Sequence, residues 1–401
     1  MTRGLVLALA IASAAGLGCD HEPGLVLWHA YSGLEREVLE TSAARWNVAH
    51  PEQPLELVAV PYGAFADKIT SAIPGGNGPD LFIYPQDRIA NWADDGVIEP
   101  LEFWIDEARA DRYTPAAIAA MAYKDSLWGL PLTVKSLALY YRTDLIAGPP
   151  KTTDELIALG PTMRARDGYA IAYANVDFYG HAPWLFGYGG TLLSAEGKLT
   201  IATPEGAAAM AFARSLVARQ IAPEHAEGPL VATLFNEGKA ATVMSGPWFQ
   251  ADIAKGVPWK LATLPIVSAT GKPAMPFVGA EGILMSARAH DKAAAFAAMD
   301  ELAGDVAAID RARRAHQIVP NVNAYADPEV AADPVLGAFR AQLEHAVPMP
   351  NDTRMRMVWI PYKDALGEVL SGRGDPTERL LDTERKVEGY IRGGGTEPVK
   401  P

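Results

Sequence analysis

Tyr84 closes an apolar run, Asp80-Leu81-Phe82-Ile83-Tyr84, and Asp87 with Arg88 follows directly after it. If that run is a strand of an open α/β sheet, these side chains stand at its carboxyl end, where such sheets take their ligands. A carboxylate beside a guanidinium offers an acceptor and several donors in fixed geometry, and an aromatic face offers an apolar platform. The plainer reading is that Asp87 caps the helix it begins, with Arg88 on a solvated face. Further on, Asp177-Phe178-Tyr179-Gly180 supplies a second acid and a second aromatic, in a composition that also suits a simple turn. Trp248 follows Gly246-Pro247, a turn that would hold an indole off any helix face, although a buried core tryptophan is the common alternative. Trp359 sits between an irregular Met- and Arg-rich stretch, Met349 to Met357, and Pro361.

The elements that must position these groups follow from the apolar pattern. Leu25-Val26-Leu27-Trp28 and Leu55 to Val60 read as strands, and Leu34 to Asn47 and Phe65 to Ile73 read as helices, a βαβα rhythm. The turn signal Gly75-Gly76-Asn77-Gly78-Pro79 precedes the strand that ends at Tyr84, and a helix is expected from near Asp87 to before Gly96. A second α/β block starts at Leu137 to Tyr141. Thr152 with Glu155 forms a capping box, and Thr203-Pro204 opens a helix. Val243-Met244, Leu261 to Leu264 and Ile283 to Met285 read as strands, Ala293 to Leu302 and Tyr362 to Ile391 as helices. The 401 residues exceed what one core holds, so two lobes are expected.

Composition excludes several classes. There are 35 Lys+Arg against 48 Asp+Glu, a formal charge of −13, and no basic run, which leaves little to neutralise nucleic-acid phosphates. The single cysteine closes no intrachain disulfide and builds no Cys-based metal site, and no metal or cofactor is expected. The eight histidines are scattered singly, and His29 and His181 read as polar contacts or satisfied surface residues rather than bases.

That cysteine, Cys19, ends the apolar run Leu5 to Ala15 with its neighbours, which follows Arg3 and is too short to span a bilayer. The segment resembles a bacterial lipoprotein signal, with residues 1–18 removed and Cys19 acylated at the mature terminus. Cleavage after Ala12-Ser13-Ala14, leaving Cys19 a free thiol, is the alternative. Either way the protein leaves the cytoplasm. No later run has the apolar length of a membrane span.

A set of ordered segments across the mature chain resembles the extracellular solute-binding proteins of ABC importers, most of all the maltose/maltodextrin branch. They are Gly78-Pro79-Asp80-Leu81-Phe82 with Asp87-Arg88, Trp128-Gly129-Leu130-Pro131, Tyr188-Gly189-Gly190, Phe235-Asn236-Glu237-Gly238-Lys239, Ser245-Gly246-Pro247-Trp248, Pro276-Phe277-Val278-Gly279, and Met349-Pro350-Asn351 with Trp359. The resemblance implies an α/β, two-lobed periplasmic-binding-protein fold of type II, each lobe a mainly parallel sheet flanked by helices, with the ligand cleft between. By that analogy lobe one takes residues 24–134 and 280–330, lobe two takes 135–279 and 331–395, and 396–401 form a flexible tail. It implies capture of a sugar by hinge closure and delivery to membrane permease subunits by a monomer. Location would be periplasmic or on the outer face of the cytoplasmic membrane, with membrane contact only through the lipid.

The same resemblance makes Tyr84, Asp87, Arg88, Asp177, Tyr179, Trp248 and Trp359 ligand contacts and adds Met349. Lys135 stands where the branch has a cleft glutamate, and Asp67 is the acid nearest another of its contact positions. The loop His29-Ala30-Tyr31-Ser32-Gly33 is shorter than in the branch and lacks its Asp-Lys pair, so the sugar stays open. The rival reading is a secreted carbohydrate-active hydrolase that sets Asp87 and Asp177 across a glycosidic bond. No G-x-S-x-G elbow, H-E-x-x-H or phosphate loop accompanies it.

Overall fold

In a computed structural model, residues 24–194, 197–352 and 354–393 are described. The signal run, Cys19 and the expected tail lie outside them. Leu25–His29 alternates buried and half-buried residues and pairs in parallel with Leu55–Ala59 on one side and Leu81–Pro85 on the other. Leu81 to Tyr84 are buried on both faces, as a strand between neighbours must be. The chain then adds Phe277–Met285 antiparallel to Leu81–Pro85, with Gly129–Lys135 antiparallel to it and Val347–Pro348 parallel to its first residues.

The second sheet runs in the order Trp259–Ala262, Ala138–Arg142, Ala240–Ser245, Tyr169–Ala172. Its last pair is parallel and the other two antiparallel, so both sheets mix directions. Every residue of Ala138–Arg142 is buried, and the Tyr140 hydroxyl donates to the Gly246 carbonyl at 2.9 Å. Helices cover both sheets, giving the two-lobed α/β architecture that the sequence implies, but the second sheet is mainly antiparallel rather than mainly parallel as expected.

The caps follow the expected chemistry in part. Thr152 Oγ1 accepts from the Glu155 amide at 3.2 Å, but the Glu155 carboxylate takes the Lys151 amide at 2.7 Å rather than that of Thr152. Thr203 caps Pro204–Ala218 through the Gly206 amide. The C-terminal helical region differs from expectation. A helix begins at Met355, not Tyr362, and runs to Leu370 with Pro361 inside it. Met355, Val358, Tyr362, Leu366 and Val369 are buried at helical spacing, and that apolar face holds the helix across the proline. A second helix, Pro376–Arg392, restarts on an Asp375 cap.

Four backbone segments run side by side beside these sheets. Gly279 pairs with Lys135, Phe277 and Val278 pair with Val347 and Pro348, and Val134 bridges to Ile318. The Ser136 hydroxyl, fully buried, donates to the Phe277 carbonyl at 2.9 Å and stitches two of these segments together.

Candidate functional site

The carboxyl ends of the first sheet's parallel strands carry one wall. Tyr84 is 6% exposed, with its ring packed against Phe65 and Trp92 and stacked under Tyr62 at 5.7 Å and 8°. Tyr62, not Tyr84, presents the open aromatic face, at 59% exposed. This corrects the expectation that Tyr84 is the platform. Pro61-Tyr62-Gly63 opens a helix directly after the second strand, and that strand-end position was the signal available for Tyr62. Burial pushes the Tyr84 hydroxyl well above its ordinary range, and the Asp87 charge adds to it.

Asp87 and Arg88 lie in a 3-10 turn, Gln86–Arg88, and both are half-buried. Neither the turn nor the helix Ile89–Asp94 after it has a side-chain N-cap, so the helix-cap reading of Asp87 does not describe this segment. Gln86 fixes the turn instead. Its amide nitrogen donates to the Met349 carbonyl at 2.9 Å and its oxygen accepts from the Ala280 amide. One buried side chain therefore ties the Asp87 turn to two of these side-by-side segments.

The second lobe supplies the facing wall. Asp177 is the N-cap of the helix Phe178–Gly187 and accepts from the Tyr179 amide at 2.8 Å. What reads as a turn is thus a helix start. A Cβ at Gly180 would overlap the Ala174 carbonyl oxygen, so glycine is what lets this first turn lie so close to the strand end. Asp177 is open to solvent yet crowded on most sides, and this desolvation raises its carboxyl. Tyr179 faces Phe277 at 6.1 Å and Trp248 at 6.3 Å. Burial raises the Tyr179 hydroxyl, with Asp177 and then Asp87 adding. Asp87 thus acts on Tyr62 and Tyr84 on its own wall and on Tyr179 across from it.

Trp248 is 37% exposed in the 3-10 turn Pro247–Asp252, its ring folded over Gly246, where no side chain would fit. Trp359 is half-buried on the helix Met355–Leu370, near Phe178 at 5.7 Å and Phe277 at 6.5 Å, and so belongs to a helix rather than to an irregular stretch. Its indole nitrogen is buried without a hydrogen-bond partner.

The remaining expected residues divide. Asp67 is exposed on the Tyr62 helix, and its charge reaches the Tyr84 hydroxyl. Met349 is 7% exposed and packed in the second lobe's core, so it shapes the wall through its backbone bonds to Val278 and Gln86 rather than as an open surface. Lys135 is tied to protein carboxylates, with Nζ 2.9 Å from Glu35 and 3.3 Å from Glu281, and it lies 5.9 Å from the Trp248 ring centre. Burial would lower its ammonium, but Glu281 and Glu35 more than reverse this and raise it. His29 and His181 are buried, not on the surface.

The first lobe thus offers an aromatic face at Tyr62 near a carboxylate and a guanidinium on a pinned turn, and the second lobe offers Tyr179 and Trp248. This suits a ligand with apolar faces and a hydroxyl rim. Among the described residues, no group of three or more His, Cys, Asp or Glu is placed to hold a metal ion.

Residues 31–309 match the family of the bacterial extracellular solute-binding protein. A maltotriose-binding protein of Pyrococcus abyssi is 27% identical over 353 residues, covering 86% of this chain and 77% of that protein. A maltooligosaccharide ABC transporter solute-binding lipoprotein of Streptococcus pneumoniae is 27% identical over 340 residues, covering 81% and 79%. Among solved structures, the maltose/maltodextrin-binding domain from Bdellovibrio bacteriovorus bound to maltotriose superposes with a TM-score of 0.85. It is 24% identical and covers 92% of this chain and 99% of that one, a likeness of fold.

Proposed function

Because the chain belongs to the bacterial extracellular solute-binding protein family, we propose that it is the sugar receptor of an ABC importer, binding a malto-oligosaccharide or a related oligosaccharide. The observation that carries this reading is the pairing of aromatic faces with Asp87. Tyr62 stacks on Tyr84 at the strand end that leads to Asp87, and Tyr179 stands beside Trp248 in the second lobe. In this reading Asp87 and Arg88 grip hydroxyls, Tyr62, Tyr179, Trp248 and Trp359 stack on sugar faces, and Asp177 and Asp67 accept at the rim. Tyr84 backs Tyr62, and Lys135 and Met349 support the walls.

Lobe one then comprises 24–134 with 280–330 and lobe two 135–279 with 331–395, closing about hinges near Val134 and Gly279. The receptor is a monomer outside the cytoplasm, anchored through lipid on Cys19, and hands its sugar to permease subunits. No helix among the described residues is long and apolar enough to cross a membrane. The relatives named above are binding proteins, and this chain binds without turnover.

Calorimetry with maltotriose tests the reading. Binding with a tryptophan fluorescence shift and intact sugar afterwards is the expected result; shortened sugar would establish a hydrolase instead. Asp87→Ala should weaken binding by about 1.5 to 3 kcal/mol, since hydrogen bonds to an ionised group are roughly twice as strong as neutral ones. Its melting temperature should hold, and a lost melting temperature at unchanged affinity would make Asp87 a structural residue. Trp359→Ala should show both effects. Its half-buried ring should cost about 2 kcal/mol of stability on removal, less than a fully buried tryptophan, while affinity falls. Unchanged affinity would take Trp359 out of the site.

A further inference from the structure

We infer that Gln86 is a positioning residue for ligand capture, one that sets affinity by holding the turn of Asp87 and Arg88 against the segments at Ala280 and Met349. The inference rests on the reading of Asp87 and Arg88 as ligand contacts. The strand Phe277–Met285 pairs with Leu81–Pro85 from Glu281 onward and with Val347–Pro348 at Phe277 and Val278. Gly279 and Ala280 have neither partner and pair only with Lys135 and Val134. Gln86, the residue after Leu81–Pro85, turns its side chain into this interval. Its oxygen accepts from the Ala280 amide, and its nitrogen donates at 2.9 Å to the carbonyl of Met349, just past Val347–Pro348. Gly279 leaves the room for it, since a Cβ there would lie 3.2 Å from the Met349 methyl and 3.4 Å from the Gln86 oxygen.

Glutamine suits this place because one amide supplies both a donor and an acceptor, and here each goes to a backbone group. The side chain is buried and both bonds are buried with it, so letting go of either would leave an unpaired backbone group inside the protein. Gln86 is therefore fixed at two points. Asp87 and Arg88 are the next two residues of the same 3-10 turn, which has no side-chain N-cap of its own to hold it. Their place at the strand end depends on Gln86. Binding groups that are already held lose less freedom when a ligand arrives, so a loosened turn weakens binding although neither charged side chain has been changed. A glutamine that only filled the interior would contribute to stability and leave the effect of Asp87 on affinity as it was.

Calorimetry with maltotriose, run as a double-mutant cycle between Gln86 and Asp87, tests the role. Gln86→Met keeps the length of the side chain and removes its donor and acceptor. It should weaken binding by about tenfold or more in a protein that circular dichroism shows to be folded. Adding Asp87→Ala to Gln86→Met should then cost much less affinity than Asp87→Ala costs the parent, because the carboxylate is already out of place. The two losses should fall well short of multiplying. Gln86→Glu, which keeps the acceptor for Ala280, goes through the same cycle if the methionine variant does not fold, with a loss of the same sign expected. Unchanged affinity in the Gln86 variant, losses that multiply, or failure of both variants to fold would make Gln86 a structural residue and overturn the inference. Asp87→Ala binding as well as the parent would instead sink the reading of Asp87 as a ligand contact, and the role of Gln86 with it. A parent that does not bind maltotriose would do the same at the level of the sugar.

Discussion

Lys135→Met should lose about 3 to 5 kcal/mol of folding free energy, the usual loss when one partner of a buried ion pair is removed. The lysine answers two carboxylates, Glu35 and Glu281, and all three side chains are at least 85% buried. Both acids are further engaged by neutral donors. The Tyr31 hydroxyl gives a 2.7 Å bond to Glu281, and the Gln317 amide gives a 2.7 Å bond to Glu35. Methionine keeps the packing of the stem and deletes the charge, so two carboxylates remain desolvated without their cation. Urea unfolding reads the loss, and adding Glu35→Gln with Glu281→Gln should recover much of it. A Lys135→Met protein within about 1 kcal/mol of the parent would mean that water already screens this cluster.

Acid should weaken the fold through His181. Burial pushes its imidazole down to about 4 from the ordinary 6.5, the Ala209 backbone offsetting only part of the effect. Between those values the unfolded chain binds a proton that the folded one refuses. The stabilisation is therefore complete above about pH 6.5 and is lost as pH falls toward 4, a span worth about 3 kcal/mol. The Tyr362 hydroxyl bonds Nδ1 at 3.0 Å and so joins the Tyr179 helix to the Trp359 helix. His29, also lowered by burial first, adds in the same direction. Urea midpoints at pH 7 and pH 5 should separate for the parent and separate much less in His181→Gln, the remainder coming in part from His29. An equal pH response in both proteins would refute the assignment.

Local signals carried much of this structure. Leu81 to Tyr84 is continuously apolar and does form a buried strand, and the rule that ligands gather at strand ends led to Asp87 and Arg88. The same rule reaches Tyr62 only once the pleat shows which aromatic lies in front, because stacking order is a three-dimensional fact. Gly129–Lys135 carries Gly129 and Pro131, residues that weaken a strand reading, but it lies at the sheet's edge, pairing as a strand only with Phe277–Met285, where proline is tolerated. Its register shifts between Glu281 and Gly282, beside Pro131, and Gly129 packs against the Ile283 carbonyl where a Cβ would be crowded. The Met355 helix was hidden by Pro361, whose local cost is overridden by a buried apolar face that only packing reveals. Lys135 was placed by analogy with a cleft acid, but its partners come from residues 100 and 146 positions away, beyond any local pattern.

The strand Phe277–Met285 lies between Leu81–Pro85 and Gly129–Lys135, so the first lobe's sheet cannot close until nearly 200 later residues have been made. Its folding is consequently late and dominated by contacts distant in sequence, the condition under which chains fold slowly. For a polypeptide that must be threaded through a membrane before it acts, that delay is useful. The amino-terminal strands emerge first, yet lack the partner that would lock them until the start of the chain's last third has followed.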